Sequence, residues 1–306
     1  MILHQFPDLT WLKQQAERRF SNKQGWEGRN LVQDGWPNVI LNVATQHTYR
    51  DNIRGPLSIF TNLSGESHVE TGKKRTTIKE GFFFVSNRDE RYTLDINSKP
   101  STETFNIHFG EYFAGGVLQS LSKSTQSLLE NKEQPLHPEF HSRLTPRSTD
   151  VNQIISFLHQ YKPSGILLEE KLADVISILL VQENRLAKTQ LQLPVLKAST
   201  REEIMRRLLD ACDYIYTYYH KDLSLDELAS VSCLSKFHFL RLFKIIFNKT
   251  PHQFINEVRI RRSKELLLRS TLDVKSISKA VGFDTSSSFS RMFRQQTGAY
   301  PTQYRA

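Results

Sequence analysis

Six histidines between residues 47 and 159 have the side-chain type that suits metal or acid–base chemistry, namely His47, His68, His108, His137, His141 and His159. A first-row metal site on a small β-barrel needs a histidine pair one residue apart, a nearby carboxylate and a later third histidine. None of the six forms such a pair. His137 and His141 lie four residues apart, but Pro138 interrupts the segment between them. The histidines therefore predict no metal site.

Other patterns of catalysis and cofactor binding are also missing from the sequence. Gly115 and Gly116 stand without the glycine-rich spacing that cradles a phosphate, and no nucleophile elbow is present. Cys212 and Cys233 do not have metal-type spacing, and so low a cysteine content favours a reduced, cytoplasmic protein. We therefore expect no enzymatic activity, no cofactor and no bound metal.

The net charge of +9 is divided unevenly along the chain. Residues 1–195 carry 22 Lys and Arg against 21 Asp and Glu, whereas residues 196–306 carry 19 against 11. A compact basic unit indicates a polyanionic partner, most commonly nucleic acid. On charge alone, an anionic membrane surface or a solvated charged face remains open. No apolar run approaches the roughly 18 residues of a membrane span, so we expect no membrane association through a span.

An internal repeat of about 50 residues lies within this basic part. Residues 223–254 form the first copy and residues 272–304 the second. The aligned pairs are Leu228 and Ile277, Leu234 and Phe283, Phe239 and Phe289, Arg241 and Arg291, Phe243 and Phe293, and Pro251 and Pro301. The offset changes from 49 to 50 between the second and third pairs, so the second copy has one extra residue there.

Each copy has the layout of a helix-turn-helix, with two short helices around a tight turn. In the second copy we expect helices over 274–281 and 286–297, joined at Gly282, where a helix end needs a positive φ. In the first copy the second helix is expected over 236–247. Two such units let one chain occupy two successive turns of a duplex.

The second helix of each unit is expected to bury aromatic residues and to turn its other face outward. Short hydroxyl side chains let a helix enter the major groove, arginine recognises guanine, and apolar side chains contact thymine methyl groups. The residues expected to contact bases are Lys236, Phe237, Leu240, Arg241, Ser286, Ser287, Ser290 and Arg291.

A basic segment that begins with proline connects the two units. Residues 251–268 predict a helix of about 27 Å, comparable to the duplex repeat of roughly 34 Å once the flanking helices add their offset. Contacts to the DNA backbone supply salt-dependent affinity. We expect them from Lys244, Arg259, Arg262 and Arg294.

The segments LSLDELA, LSKFHFLRLFK, TPHQFINEVRIRRSKELL and SISKAVGFDTSSSFSRMFRQQTGAYPTQYR resemble, in order and spacing, the DNA-binding domain of AraC/XylS-family transcription regulators. The resemblance covers about residues 202–305 and implies that the eight expected base contacts lie on the two recognition helices of the family. Three positions depart from its pattern: Cys233 and Asn248 replace glycines, and Ser263 replaces a small apolar residue. Asparagine tolerates the left-handed backbone better than most residues, so we expect the fold to survive.

The first half of the chain has a different pattern. Short segments rich in β-branched and aromatic residues, separated by turn signals, fill residues 1–110 and predict a small antiparallel barrel or sandwich. Residues 111–190 become helical. An apolar stripe on the helix over 167–186 is expected to pack either on this barrel or on a second subunit.

The resemblance implies an α+β architecture for the whole chain. Members of the AraC/XylS family commonly join the DNA-binding domain to a cupin-like barrel that binds an effector or dimerises. The expected parts are a cupin-like antiparallel β-barrel with helices over 1–190, a linker over 191–199, and an all-α domain over 200–306 with two helix-turn-helix motifs and a linker helix.

We therefore expect a cytoplasmic, sequence-specific transcription regulator that binds double-stranded DNA. The resemblance implies an activator that works with RNA polymerase, a small-molecule effector of unknown identity, and a homodimer formed through the N-terminal half. Within this class, a repressor or a DNA binder of low specificity is the alternative. The alternative of another class is a cupin-like protein or enzyme that binds a small molecule and has a basic tether.

Overall fold

A computed structural model of the chain describes residues 1–20, 36–72, 74–122 and 137–305. The chain divides into two compact units, Met1–Leu186 and Ala187–Ala306. All the described strands lie in the first unit, whereas the described elements of the second unit are helices. This distribution confirms the predicted α+β class.

The first unit contains a sheet and helices. Its described strands are β1 (Ile2–Leu3), β2 (Val39–Arg54), β3 (Ser58–Ser64), β4 (Glu66–Thr71), β5 (Lys74–Lys79), β6 (Phe82–Ser86), β7 (Arg91–His108) and β8 (Leu144–Pro146). Its described helices are α1 (Leu9–Phe20), α2 (Phe113–Ser122), α3 (Thr149–Tyr161) and α4 (Gly165–Gln190), of which α4 continues past the unit boundary.

The strands form one sheet in the order β1-β2-β7-β3-β6-β8, with β4 paired to β7 and β5 paired to β4. Every pair is antiparallel except β1 and β2, which are parallel. Strands β2 and β7 pair along most of their length and shift register between Thr45 and His47 and between Arg50 and Ile53. Among the described residues the path ends at β1 and β8, so the sheet is largely antiparallel, as predicted, but does not close into a barrel.

Helices α3 and α4 cover one face of this sheet. The buried core joins Ile40, Ile59 and Phe105 of the sheet to an apolar stripe on α4, whose buried members are Leu168, Leu172, Val175, Ile176 and Leu179. Burial of these side chains removes apolar surface from water and is the main force that holds α4 in place. The sequence left open whether this stripe packs on its own chain or on a second subunit. In the structure it packs on the sheet of its own chain.

The second unit contains seven described helices. They are α5 (Ala198–Tyr218), α6 (Leu225–Val231), α7 (Lys236–Phe247), α8 (Pro251–Arg269), α9 (Val274–Ala280), α10 (Ser286–Thr297) and α11 (Pro301–Tyr304). The predicted bounds of α7 and α10 agree with the structure, and those of α8 and α9 differ by one residue. Side-chain caps determine the starts of α7, α8 and α10, as described below.

The connection between α4 and α5 is shorter than the predicted linker over 191–199. Helix α4 continues to Gln190 and α5 begins at Ala198, which leaves residues 191–197 without helix. The connection begins at residue 191, as the predicted linker does, and it is shorter because α5 takes in Ala198 and Ser199.

The described residues contain no cluster of three or more His, Cys, Asp or Glu side chains arranged to hold a metal ion. His141 instead forms a hydrogen bond through Nδ1 with the carboxylate of Glu183 on α4. In the same part of the chain, no helix is both long and apolar enough to cross a membrane.

Candidate nucleic-acid interface

Side-chain caps determine where the two outward-facing helices α7 and α10 begin. Ser235 Oγ accepts a hydrogen bond from the backbone N–H of His238 at 3.4 Å, and Thr285 Oγ1 accepts one from Ser288 at 3.1 Å. A cap of this kind satisfies a backbone donor that the first helical turn leaves unpaired. The two helices therefore begin at equivalent positions of the two copies.

The turns that precede these helices share a left-handed backbone. Cys233 has a φ of 51° and Gly282 a φ of 91°, and the N–H groups of both residues bond back to the preceding helix, at Ser230 O and Lys279 O. The positive φ expected at Gly282 is present, and Cys233 adopts the same conformation despite its β-carbon. Asn248 also has a positive φ, of 52°.

Replacing Cys233 with glycine is expected to stabilise the first helix-turn-helix by about 1 kcal/mol. The left-handed conformation costs a residue with a β-carbon roughly 1–2 kcal/mol, and the larger entropy of unfolded glycine offsets part of the gain. Urea unfolding of the full chain measures this difference. The control Cys233→Ser keeps the β-carbon and should unfold like the wild type; a gain shared by both variants would contradict backbone strain as the cause.

Helix α7 separates into a buried and an exposed face. Phe239, Leu242 and Phe243 are buried, and the rings of Phe239 and Phe243 lie 5.3 Å apart. The five residues predicted for the outer face are all exposed: Lys236, Phe237, Leu240, Arg241 and Lys244. Because Phe237 is 74% exposed and Leu240 37% exposed, an apolar pair lies within a basic surface. This combination suits contact with thymine methyl groups and phosphates.

Helix α10 presents a more polar face. Phe289 and Phe293 are buried, while Ser287, Arg291 and Arg294 are exposed and Ser286 and Ser290 are half-buried. The guanidinium of Arg294 lies 4.6 Å from the centre of the Tyr300 ring. These hydroxyl groups and the Arg291 guanidinium are the groups that α10 can offer to base edges.

Helix α8 connects the two units and starts at a capping box. Thr250 Oγ1 accepts a hydrogen bond from the N–H of Gln253 at 3.3 Å, and Gln253 Oε1 accepts one from the N–H of Thr250 at 2.9 Å. Pro251 occupies the first helical position. Helix α8 contacts α7, α9, α10 and α11. It therefore supports both outward-facing helices, α7 and α10.

Arg259, on α8, makes contacts within the protein. Its Nε donates to Tyr219 O at 2.8 Å and its Nη2 to Lys221 O at 2.9 Å, while its guanidinium lies 5.6 Å from the centre of the Phe283 ring. Burial lowers the pKa of the Arg259 side chain from its usual value. These contacts tie the segment that follows α5 to α8, and the contact of Arg259 with the DNA backbone stays a prediction.

Arg262 is also engaged within the protein. Its Nη1 donates to the carboxylate of Glu265 at 2.5 Å, and the Arg262 side chain is only 22% exposed. A contact between Arg262 and a phosphate would first require this ion pair to open. Lys244 and Arg294 remain exposed, as a backbone contact needs.

Sequence reasoning missed the contribution to this surface of the segment that follows α5. The carbonyl of His220 lies so close to Gly282 that a β-carbon there would be 2.7 Å from its oxygen. The one available signal was Arg259 itself, a basic residue between the buried residues Val258 and Ile260.

Residues 228–306 match a family model described as a helix-turn-helix domain. The MmsAB operon regulatory protein of Pseudomonas aeruginosa is 35% identical over 126 residues, which are 41% of this chain and 40% of that protein. The transcriptional regulator AlkR of Acinetobacter baylyi is 32% identical over 98 residues, 32% of each chain. The chain thus spans two fifths or less of the length of these two relatives.

Two solved structures are also similar. The C-terminal domain of AraT, a response regulator from Geobacillus stearothermophilus, is 29% identical, with 32% of this chain and 83% of that chain covered and a TM-score of 0.31. ToxT of Vibrio cholerae is 12% identical, with 88% of this chain and 97% of that chain covered and a TM-score of 0.36.

The paired caps, turns and outward-facing helices define a helix-turn-helix DNA-binding domain. Residues 228–306 are a domain of the AraC type, as the resemblance in the sequence predicted. The relatives that share it are named as regulatory proteins. A domain of this kind supports double-stranded DNA as its partner.

Proposed function

We propose that the whole chain is a sequence-specific, DNA-binding transcription regulator whose helices α7 and α10 enter two successive turns of the major groove. One observation carries the proposal. The two recognition helices are capped alike, expose unlike side chains, and are mounted on the single helix α8, which is about 28 Å long at 1.5 Å per residue. This arrangement supports a site of about two helical turns.

The proposed base contacts divide between the two helices by chemistry. On α7, Lys236, Phe237, Leu240 and Arg241 combine apolar contact with thymine and donors for guanine or phosphate. On α10, Ser286, Ser287, Ser290 and Arg291 offer small hydroxyl groups and one guanidinium. Lys236 Nζ lies 2.7 Å from Asp226 Oδ1, so we expect DNA to compete with this exposed ion pair.

The test is to select bound duplexes from sheared genomic DNA with the full chain and to repeat the selection at rising salt. Enrichment of one site about two helical turns long supports the proposal. Binding without enrichment that falls steeply with salt indicates a basic tether, because counterion release alone carries such binding. In that case the first unit would hold the main function.

Two arginines on α10 give a sharper test on the selected site. Arg291→Ala is expected to weaken binding by about 1–3 kcal/mol and to relax preference at one base pair, as for an arginine that recognises guanine. Arg294→Ala is expected to weaken binding to all sequences alike and to lower the salt slope by about 1. Competition titrations against single-base-pair variants of the site measure the affinity and the base preference of each variant. Repeating them at several salt concentrations gives the salt slope.

Arg291 and Arg294 are matched because both are exposed and lie one turn apart on the same helix. A uniform loss with Arg291→Ala would make Arg291 a phosphate contact. Unchanged binding with both variants would remove α10 from the interface.

The finer parts of the proposal concern regulation. We propose that the chain acts in the cytoplasm, where bacterial DNA is, and activates transcription in contact with RNA polymerase. We further propose that the first unit binds an effector and forms a homodimer. The side chains exposed on α4 outside its buried stripe, Ile166, Leu167 and Val181, support a surface for such pairing. A repressor would leave the selected site unchanged and reverse the effect in a reporter assay.

A further inference from the structure

The sheet of the first unit has a cavity on the face opposite to α3 and α4. It lies between β2, β3 and β7 and the N-terminal segment that precedes and begins α1, and it has a volume of about 60 Å³. Its lining is mainly apolar and includes Leu3, Phe6, Leu12, Val39, Phe60 and Leu94. The cavity is lined only by residues of the first unit, whereas the predicted DNA contacts belong to the second.

Four nitrogen-bearing side chains that line this cavity are more than nine-tenths buried, and one of them is Trp36. Of the other three, Arg50 is 8% exposed, Asn106 1% and His108 9%. Arg50 Nη2, Asn106 Nδ2 and His108 Nε2 are each buried without a hydrogen-bond partner among the described residues. Buried polar atoms in native proteins are normally paired, so these atoms point to a missing ligand.

Arg50 defines the charge of that ligand. Its guanidinium lies 5.2 Å from the centre of the Phe6 ring, and burial is the largest influence on its pKa, which is lowered despite the opposing effects of Tyr92 and Asp8. A buried cation of this kind costs several kcal/mol unless an anion compensates it. The planar guanidinium matches a carboxylate in geometry.

Asn106 and His108 define a second polar group. Ser58 Oγ donates to Pro56 O at 2.8 Å, so it accepts from His108 Nδ1 at 2.8 Å, and the lone pair of the neutral ring lies on Nε2. Asn106 Oδ1 accepts from the N–H of Thr61, which leaves Nδ2 as a donor. Because Asn106 and His108 are two residues apart on β7, their side chains share one face of the sheet. A hydroxyl group can satisfy both atoms.

The cavity volume limits the size of the ligand. One buried water occupies about 10–15 Å³ of cavity volume on this measure. A cavity of about 60 Å³ therefore has room for about four to six atoms of that size, not counting hydrogens. The apolar lining favours carbon atoms next to the charged group over a small inorganic anion.

We propose that this cavity binds a short-chain organic monocarboxylate, with the carboxylate on Arg50 and the carbon atoms against Val39 and Phe60. A hydroxyl group on the chain, where the acid has one, lies between Asn106 and His108. As an effector site, the assignment rests on the proposed regulatory function. The binding itself does not involve DNA, so failure of one proposal is distinguishable from failure of the other.

Three probes with six non-hydrogen atoms each test the assignment by isothermal titration calorimetry on the full chain. We expect butyrate to bind saturably and its neutral counterpart butyramide to bind at least tenfold more weakly. We expect 3-hydroxypropionate, in which a hydroxyl replaces the methyl group of butyrate, to bind about tenfold more tightly than butyrate. Equal binding of butyrate and butyramide, or no binding of any of the three, would overturn the proposal.

The variant Arg50→Met separates a ligand-binding role from a structural one. We expect it to weaken butyrate binding at least tenfold while the melting temperature without ligand stays equal or rises, because a buried unpaired charge is removed. A lower melting temperature with unchanged butyrate affinity would make Arg50 structural and overturn the assignment. Arg50→Lys, which keeps the charge, should retain part of the affinity even if Arg50→Met fails to fold. Arg75→Met, at an exposed arginine paired with Asp95 at 2.6 Å, is the control and should bind butyrate normally.

Discussion

Replacing Gly282 with alanine is expected to destabilise the second helix-turn-helix by about 3 kcal/mol. The φ of +91° disfavours a residue with a β-carbon, and that carbon would lie 2.7 Å from the carbonyl oxygen and 2.9 Å from the carbonyl carbon of His220. Both contacts are to backbone, so no side chain can move aside; α9 and α10 must shift instead. Hydrogen exchange of peptides over 274–304 in the full chain measures the loss, and binding to the selected DNA site should fall with it.

Gly298 provides the matched control for this prediction. It has a similar φ of +80°, but a β-carbon there would meet nothing within 4 Å. Gly298→Ala is therefore expected to cost only about 1 kcal/mol, the conformational part alone. Similar losses in the two variants would show that the approach of His220 is not what requires glycine at position 282.

Acidification is expected to remove about 3 kcal/mol of stability from the first unit through His108 alone. Burial, together with the positive charge of Arg50, lowers the pKa of His108 from 6.5 to about 4. Between these two values the unfolded chain binds a proton that the folded chain does not. This contribution is therefore fully present above about pH 6.5 and is lost as the pH falls to about 4.

The measurement is the free energy of unfolding of the first unit at a series of pH values, followed by tryptophan fluorescence because all three tryptophans precede residue 40. His108→Gln should flatten the dependence between pH 4 and 6.5 whatever its effect at neutral pH. The control His238→Gln, at an exposed histidine of α7, should keep the wild-type slope. An unchanged slope in His108→Gln would exclude His108 as the source.

The sequence predicted most about the second unit, because its signals are local. Ser235 and Thr285 mark the starts of α7 and α10 through hydrogen bonds within three residues, and alternation of buried phenylalanine with polar residues identifies the two faces. The internal repeat gave each position a second copy for comparison. In the first unit, the same kind of local pattern predicted strands and the stripe on α4.

Local patterns of this kind do not predict contacts between distant parts of the chain. No pattern in the sequence indicated that Arg259 donates to carbonyls about 40 residues away, in the segment that follows α5. Closure of the sheet depends on which strand edges meet, and alternation within a strand does not specify this. Arg50 and His108 lie 58 positions apart in β2 and β7, and only the pairing of these strands brings them to one cavity.

In the proposed complex with DNA, the difference between α7 and α10 gives the protein a direction along the duplex. Paired identical subunits are related by a two-fold axis, and their sites are palindromes as a result. Within this chain no such axis relates an apolar, basic helix to a serine-rich one, so the sequence that both contact is asymmetric. In the proposed complex, inverting that sequence in front of a promoter exchanges the ends that α7 and α10 occupy. Orientation would then be as much a part of the regulatory element as its base sequence.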